Sequence, residues 1–214
     1  MNIQEGNVGN RGDLRKHEAL ATILDALVGA SGEGPILHVE THCFRLDAPI
    51  VRPIGPHDAR LAALQAPWAA RGRYRCSAGL AADILGDRGH FLLAEAHAPT
   101  RAALAEALAA EGRHVEALVD DALALDTVPP RPAAAVCIHV DPFDHPARYW
   151  PVVEHLLATW RAPDAPAAVL AFAYDKAGPI AWPDPPGGLP LRGTFADAPY
   201  GLAVWSNLPL SLGW

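Results

Sequence analysis

The second half of the chain alternates strand-like apolar runs with helix-like stretches, and this alternation restricts the fold more than any other feature. "HFLLAEA" (90–96) leads into "PTRAALAEALAAEG" (99–112), and "HVEALV" (114–119) leads through a proline-rich loop to "AAAVCIHVD" (133–141). A helical stretch at 146–161 precedes "AAVLAFAYD" (167–175), and two short runs near 191–196 and 201–206 read as a closing hairpin. Near-continuous apolar strands separated by helices fit a mostly parallel sheet buried on both faces. The first half is less regular. A helix is expected over 13–28, where Leu14, His17, Leu20, Ile23, Leu24 and Leu27 recur at helical spacing. A strand at 36–41 follows, then an irregular proline-containing stretch, a helix near 57–71, and a short helix at 78–85 with Ser77 as its N-cap. "PDPPGGLP" (183–190) reads as a surface loop. Nothing resembles a domain linker, so residues 1–214 are read as one domain.

Sheets of this kind bind ligands beyond the carboxyl ends of their strands. That rule selects Glu40-Thr41-His42, Glu95-Ala96-His97, Asp120-Asp121, Asp141-Pro142-Phe143 and Asn207, a site lined by carboxylates. His38, Glu40 and His42 would share one face of a strand. Their order is not the HExxH helix of zinc proteases, and no metal centre is expected. The three cysteines form no CxxC pair and leave one over. Reduced thiols in the cytoplasm are therefore expected, with Cys137 a small core residue. The net charge of −7, with only Lys16 and Lys176 as lysines, argues against a polyanion partner such as nucleic acid. No apolar run approaches the roughly 18–20 residues a spanning helix needs, and "MNIQEGNVGNRGD" at the start lacks a signal-peptide core. Neither membrane nor nucleic-acid association is expected.

Five stretches carry a family resemblance: "GNRGDLRKH" (9–17), "HVETH" (38–42), "AEAHAP" (94–99), "VDPFDH" (140–145) and "YGLAVWSNLP" (200–209). In this order they are similar to the motifs GNxxDxxKH, DTHAGAG, ELHP, DPPYE and NPPW of the RlmJ-type adenine-N6 methyltransferases of 23S ribosomal RNA. The resemblance covers nearly the whole chain. It implies a class-I methyltransferase-like (Rossmann-like) α/β fold, a mostly parallel sheet with a C-terminal antiparallel hairpin. Carried over position by position, cofactor contacts would fall on Lys16, His17, Ser77, Glu95 and Asp141. Glu95 would meet the ribose of S-adenosylmethionine, and Asp141 heads the motif that holds the target amine. Asn10, His42, Phe143 and Asn207 join His17, Ser77 and Glu95 as candidate substrate-binding residues.

The departures from that family set the functional expectation. Small glycine-rich residues after the first strand are replaced by Cys43-Phe44-Arg45-Leu46. Large side chains there would occupy the cofactor's volume, because only glycine permits so close an approach. The Asp-Pro-Pro-aromatic motif has become Asp141-Pro142-Phe143, and the segment before Ser77 is short for an RNA-gripping subdomain. The expectation is an enzyme of small molecules that works without a cofactor. An amine would displace an anionic leaving group, for example by intramolecular N-alkylation that closes an aziridine in specialised-metabolite (antibiotic) biosynthesis. Arg45 and Lys16 would hold the anion, and Asp141 or Asp83 would accept the proton. The substrate would be a small or carrier-bound amine. Two alternatives stay open. One is an S-adenosylmethionine-dependent N-methyltransferase of a small molecule; the other is a non-catalytic binding relic that needs a protein partner.

Overall fold

The computed structural model describes residues 8–142, 145–174, 180–197 and 199–213. In chain order the elements are α1 (Arg11–Ala30), β1 (Ile36–Glu40), β2 (Asp47–Pro49), α2 (Ala59–Ala69), β3 (Arg73–Arg75), α3 (Ser77–Leu85) and β4 (Gly89–Ala94). They continue with α4 (Ala98–Ala110), β5 (His114–Val119), β6 (Ala135–Val140), α5 (Trp150–Trp160), β7 (Ala167–Tyr174), β8 (Leu191–Asp197) and β9 (Tyr200–Ser206).

Seven strands form one sheet in the order β5-β4-β1-β6-β7-β9-β8. The first five run parallel, and β9 returns antiparallel between β7 and β8. The central strands β1 and β6 are buried along their whole length, including their polar residues His38, Glu40 and His139. On one face α1, α3 and α4 supply Leu20, Leu24, Ala81 and Leu104 to the core. On the other, α5 packs Val153, Leu156 and Trp160 against Val136, Val169 and Trp205. Cys137 is fully buried in the first of these layers, as expected of a small core residue.

Three sequence expectations need correction. The stretch read as irregular contains β2, which pairs antiparallel with β3, and the pair closes over α1 and α3 through Leu14, Ala48, Tyr74 and Leu80. Strands of three residues are too short to show alternation. Ser77, expected as an N-cap, is instead the first residue of α3, with Cys76 in the capping position. The helix expected at 146–161 begins as a 3-10 turn over Pro146–Tyr149 and becomes α-helical at Trp150. Among the described residues no helix is long and apolar enough to cross a membrane.

Candidate functional site

The carboxyl ends of β1, β4 and β6 point to one edge of the sheet, and the start of α1 reaches the same edge. Asn10 caps α1 by accepting a hydrogen bond from the Asp13 backbone N–H at 3.0 Å. Asp13 in turn accepts from the Gly9 N–H at 3.1 Å. One turn later Lys16 projects its ammonium between Asp13 (3.1 Å) and Asp141 (2.5 Å), over the Phe172 ring. The Lys16 side chain is only 7% exposed. Burial alone would lower its pKa, but the two carboxylates outweigh burial and raise it, so the cation persists. The "GNRGDLRKH" segment thus folds into a cap, a turn and a fixed cation.

His17 lies beside this pair and bonds the Tyr74 hydroxyl through Nδ1 at 2.7 Å. Burial, and then the neighbouring Lys16 charge, lower its pKa well below the usual imidazole value, so it is neutral at neutral pH.

Beneath the pair lies a fully buried carboxylate. Glu40, the last residue of β1, meets His38 Nε2 (3.1 Å) and His139 Nδ1 (3.2 Å). It also accepts from the Cys43 thiol (3.0 Å) and the Ser77 hydroxyl (3.1 Å). Burial would raise the Glu40 pKa, yet the bonds from His139 and His38 hold it well below the usual carboxylate range. The Cys43 thiol is pushed up by burial and by the Glu40 charge, and stays protonated as a donor. His42 does not join His38 and Glu40. The strand ends at Glu40, and the His42 imidazole bonds Thr41 Oγ1 at 2.8 Å and packs its edge on Tyr149.

The loop that follows β1 bends down onto the sheet. The Cys43 N–H donates to the Ala94 carbonyl at the end of β4 at 2.7 Å, and the Cys76 N–H donates to the Leu46 carbonyl at 2.9 Å. Cys43 and Leu46 are buried in the main core, while Arg45 is half-buried with its guanidinium against the Phe44 ring. The glycine that permits close approach has moved into α3. A Cβ on Gly79 would lie 2.1 Å from the Leu46 carbonyl oxygen, so the absence of a side chain there admits the loop itself. Gly79→Ala is therefore expected to destabilise the chain by about 1–3 kcal/mol, measured by denaturant unfolding, because the loop backbone must move. A neutral substitution would show that the loop does not press on α3.

Glu95 directly follows β4, at the strand end as expected, but its carboxylate turns back to accept the His97 N–H at 2.7 Å. Its pKa is raised, chiefly by burial, against the opposing His97 bond. Asp83 lies elsewhere. It pairs with Arg75 (2.8 Å) and accepts from the Trp68 indole (3.0 Å), in a cluster that Glu111 completes. Its expected role as a base at the cleft is not supported, because its oxygens accept from Trp68 of α2 and from Arg75 of β3. Asn207 is at the opposite edge of the sheet. β9 runs antiparallel, so its carboxyl end meets the start of β7, where Asn207 accepts from Ala167 N–H at 2.8 Å and donates to the Ala165 carbonyl. Applying the strand-end rule to a strand of reversed direction caused that error. Phe143 lies outside the described residues.

Sequence reading missed Tyr74 and His139. The signal for His139 was present: a histidine inside the apolar run "AVCIHV" has to find a buried partner.

No protein-family profile and no curated protein matches the chain. Solved structures do. Protein LPL1258 from Legionella pneumophila is similar over 95% of this chain and 87% of its own, with a TM-score of 0.63 and 14% identity. A putative methylase from Haemophilus influenzae is similar over 91% and 99% of the two chains, with a TM-score of 0.52 and 14% identity. The putative methyltransferase yhhF from Escherichia coli covers 88% of this chain and 85% of its own, at a TM-score of 0.50 and 13% identity. The sheet order, the flanking helices and these neighbours together establish a class-I methyltransferase-like fold.

Proposed function

We infer that the chain is a small-molecule enzyme that uses this fold for nucleophilic displacement at an amine, without a methyl donor. The observation that carries the reading is the loop after β1. Its Cys43 N–H is bonded to the end of β4, and Cys43 and Leu46 are buried where a glycine turn would leave room for S-adenosylmethionine. Glu95, the residue matched to the ribose contact, is turned onto its own chain. Both features speak against a cofactor bound at this end of the sheet.

In the proposed reaction the substrate amine attacks a carbon that bears an anionic leaving group such as sulfate. The C–N bond forms and the C–O bond breaks, with its electron pair leaving on the anion. The proton shed by the new ammonium goes to Asp141, which Lys16 orients. The leaving anion is held by the Arg45 guanidinium. Closing a three-membered ring is the intramolecular case of this reaction. The substrate is a small or carrier-bound amine in the cytoplasm, and RNA is not a partner.

Calorimetry with S-adenosylmethionine and sulfate release from a 2-aminoalkyl sulfate test this reading together. No S-adenosylmethionine binding, with catalysed sulfate release that Arg45→Ala lowers about a hundredfold, is expected, because one preorganised charge contributes about 3 kcal/mol to such a transition state. Arg45→Lys would rescue poorly, since the planar fork is lost. Micromolar binding of S-adenosylmethionine would replace this reading with an N-methyltransferase of a small molecule. That second reading is favoured by the fold neighbours from Haemophilus influenzae and Escherichia coli, a putative methylase and a putative methyltransferase.

A further inference from the structure

The amino-terminal edge of the sheet holds a second cluster, which the proposed reaction does not use. His90 lies near the start of β4 and His114 opens β5, and the two face each other in the parallel register. Between Phe91 and Leu92 the register slips, so Val115 and Ala117 have partners in β4 while Glu116 has none. The Glu116 carboxylate turns to the two imidazoles instead, as irregularities of this kind allow. Its Oε1 lies 2.8 Å from His90 Nδ1 and 3.0 Å from His114 Nε2. The two rings lie 4.1 Å apart, centre to centre. One donor atom from each residue falls within 4.8 Å of the other two.

We propose that His90, His114 and Glu116 form a binding site for a divalent transition-metal ion of the zinc class, tying the edge strand β5 to β4. Two imidazoles and a carboxylate are a donor set that suits zinc and leaves a fourth position for water. Glu116 is 6% exposed in its side chain, whereas His90 and His114 are 30% and 48% exposed, so the ligands are fixed from below and open to solvent above. Burial would raise the Glu116 pKa, but the bonds from His90 and His114 keep it lowered, and the carboxylate is ionised at neutral pH. A cavity of about 50 Å³ adjoins the cluster, lined by Leu37, His90, Glu116 and Trp160 among others, and offers room for a water ligand. Arg131 touches the other Glu116 oxygen at 3.5 Å from a largely exposed side chain and leaves Oε1 to the imidazoles.

An imidazole tautomer with its proton on the far ring nitrogen presents the near one to a metal. The cluster lies about 13 Å along β4 from the end that faces Lys16 and Asp141, taking about 3.3 Å per residue, so the ion would brace the sheet rather than serve the reaction.

The test is a calorimetric titration of the chelator-stripped full chain with Zn²⁺, with Co²⁺ visible absorption to read the ligand geometry. One equivalent bound at micromolar or tighter Kd, a higher melting temperature and tetrahedral Co²⁺ bands are expected. His114→Ala, at a half-exposed edge position that leaves the core intact, should weaken Zn²⁺ binding at least about tenfold and abolish the Co²⁺ bands. His155→Ala, on the exposed side of α5, should change neither. The proposal is overturned if the chain takes up no Zn²⁺ below millimolar concentration, or if His114→Ala binds as tightly as the unaltered chain.

Discussion

Glu40→Ala is expected to remove about 3–5 kcal/mol of stability. The substitution deletes one fully buried carboxylate and with it the partner of His38, His139, Cys43 and Ser77. Those groups come from β1, β6, the following loop and α3, so one deletion loosens four elements at once. Glu40→Gln preserves volume but places an amide donor against donors, and should recover less than half of the loss. The effect depends on pH in a definite sense. The folded-state pKa of Glu40 is depressed, so its contribution is present above the unfolded carboxylate value near 4.3 and is lost as pH falls through the folded value. Urea unfolding from neutral pH downward should show an acid decline that Glu40→Gln lacks. A Glu40→Ala loss below about 1 kcal/mol would mean that the network is not an energetic unit.

Lys16→Met is expected to cost about 2–4 kcal/mol and to remove nearly all proposed turnover. It leaves Asp13 and Asp141 facing each other with no cation between them, in a setting only about one-fifth exposed. The double variant Lys16→Met/Asp141→Asn separates the two effects. It should regain at least about 1 kcal/mol relative to the sum of the single losses, because the uncompensated carboxylate is gone, yet remain inactive. Strict additivity would sink the claim that the pair is coupled. Since the pKa of Lys16 is raised, its contribution holds below the unfolded lysine value near 10.4 and is lost only as pH rises through the still higher folded value. The variant's deficit should thus be constant from pH 6 to 9 on a stability profile, within about 0.5 kcal/mol.

The sheet was legible in the sequence because strands such as β4, β6 and β7 are almost wholly buried, and burial writes itself as largely apolar runs such as "AAVLAFAY". The cation at Lys16 was legible because it belongs to a local motif: the Asn10 cap, Asp13 and Lys16 lie within two turns of one helix. The β2–β3 pair was not, since three residues carry no period. Asp83 and Asn207 were misplaced for a related reason. A residue's neighbours across a sheet or between helices depend on strand direction and on partners such as Arg75, eight residues away in sequence.

What the sequence determined by itself was the class of fold and the loss of glycine after β1, because pattern and residue size are properties of the chain alone. The tertiary structure decided that Cys43 and Leu46 fill the space below the cleft, that Glu40 collects donors from four elements, and that His90, His114 and Glu116 meet at the far edge. Each of these depends on groups distant in sequence meeting in space, up to 99 residues apart for His139 and Glu40. That convergence is fixed by strand order and register, which hydrophobic pattern does not encode.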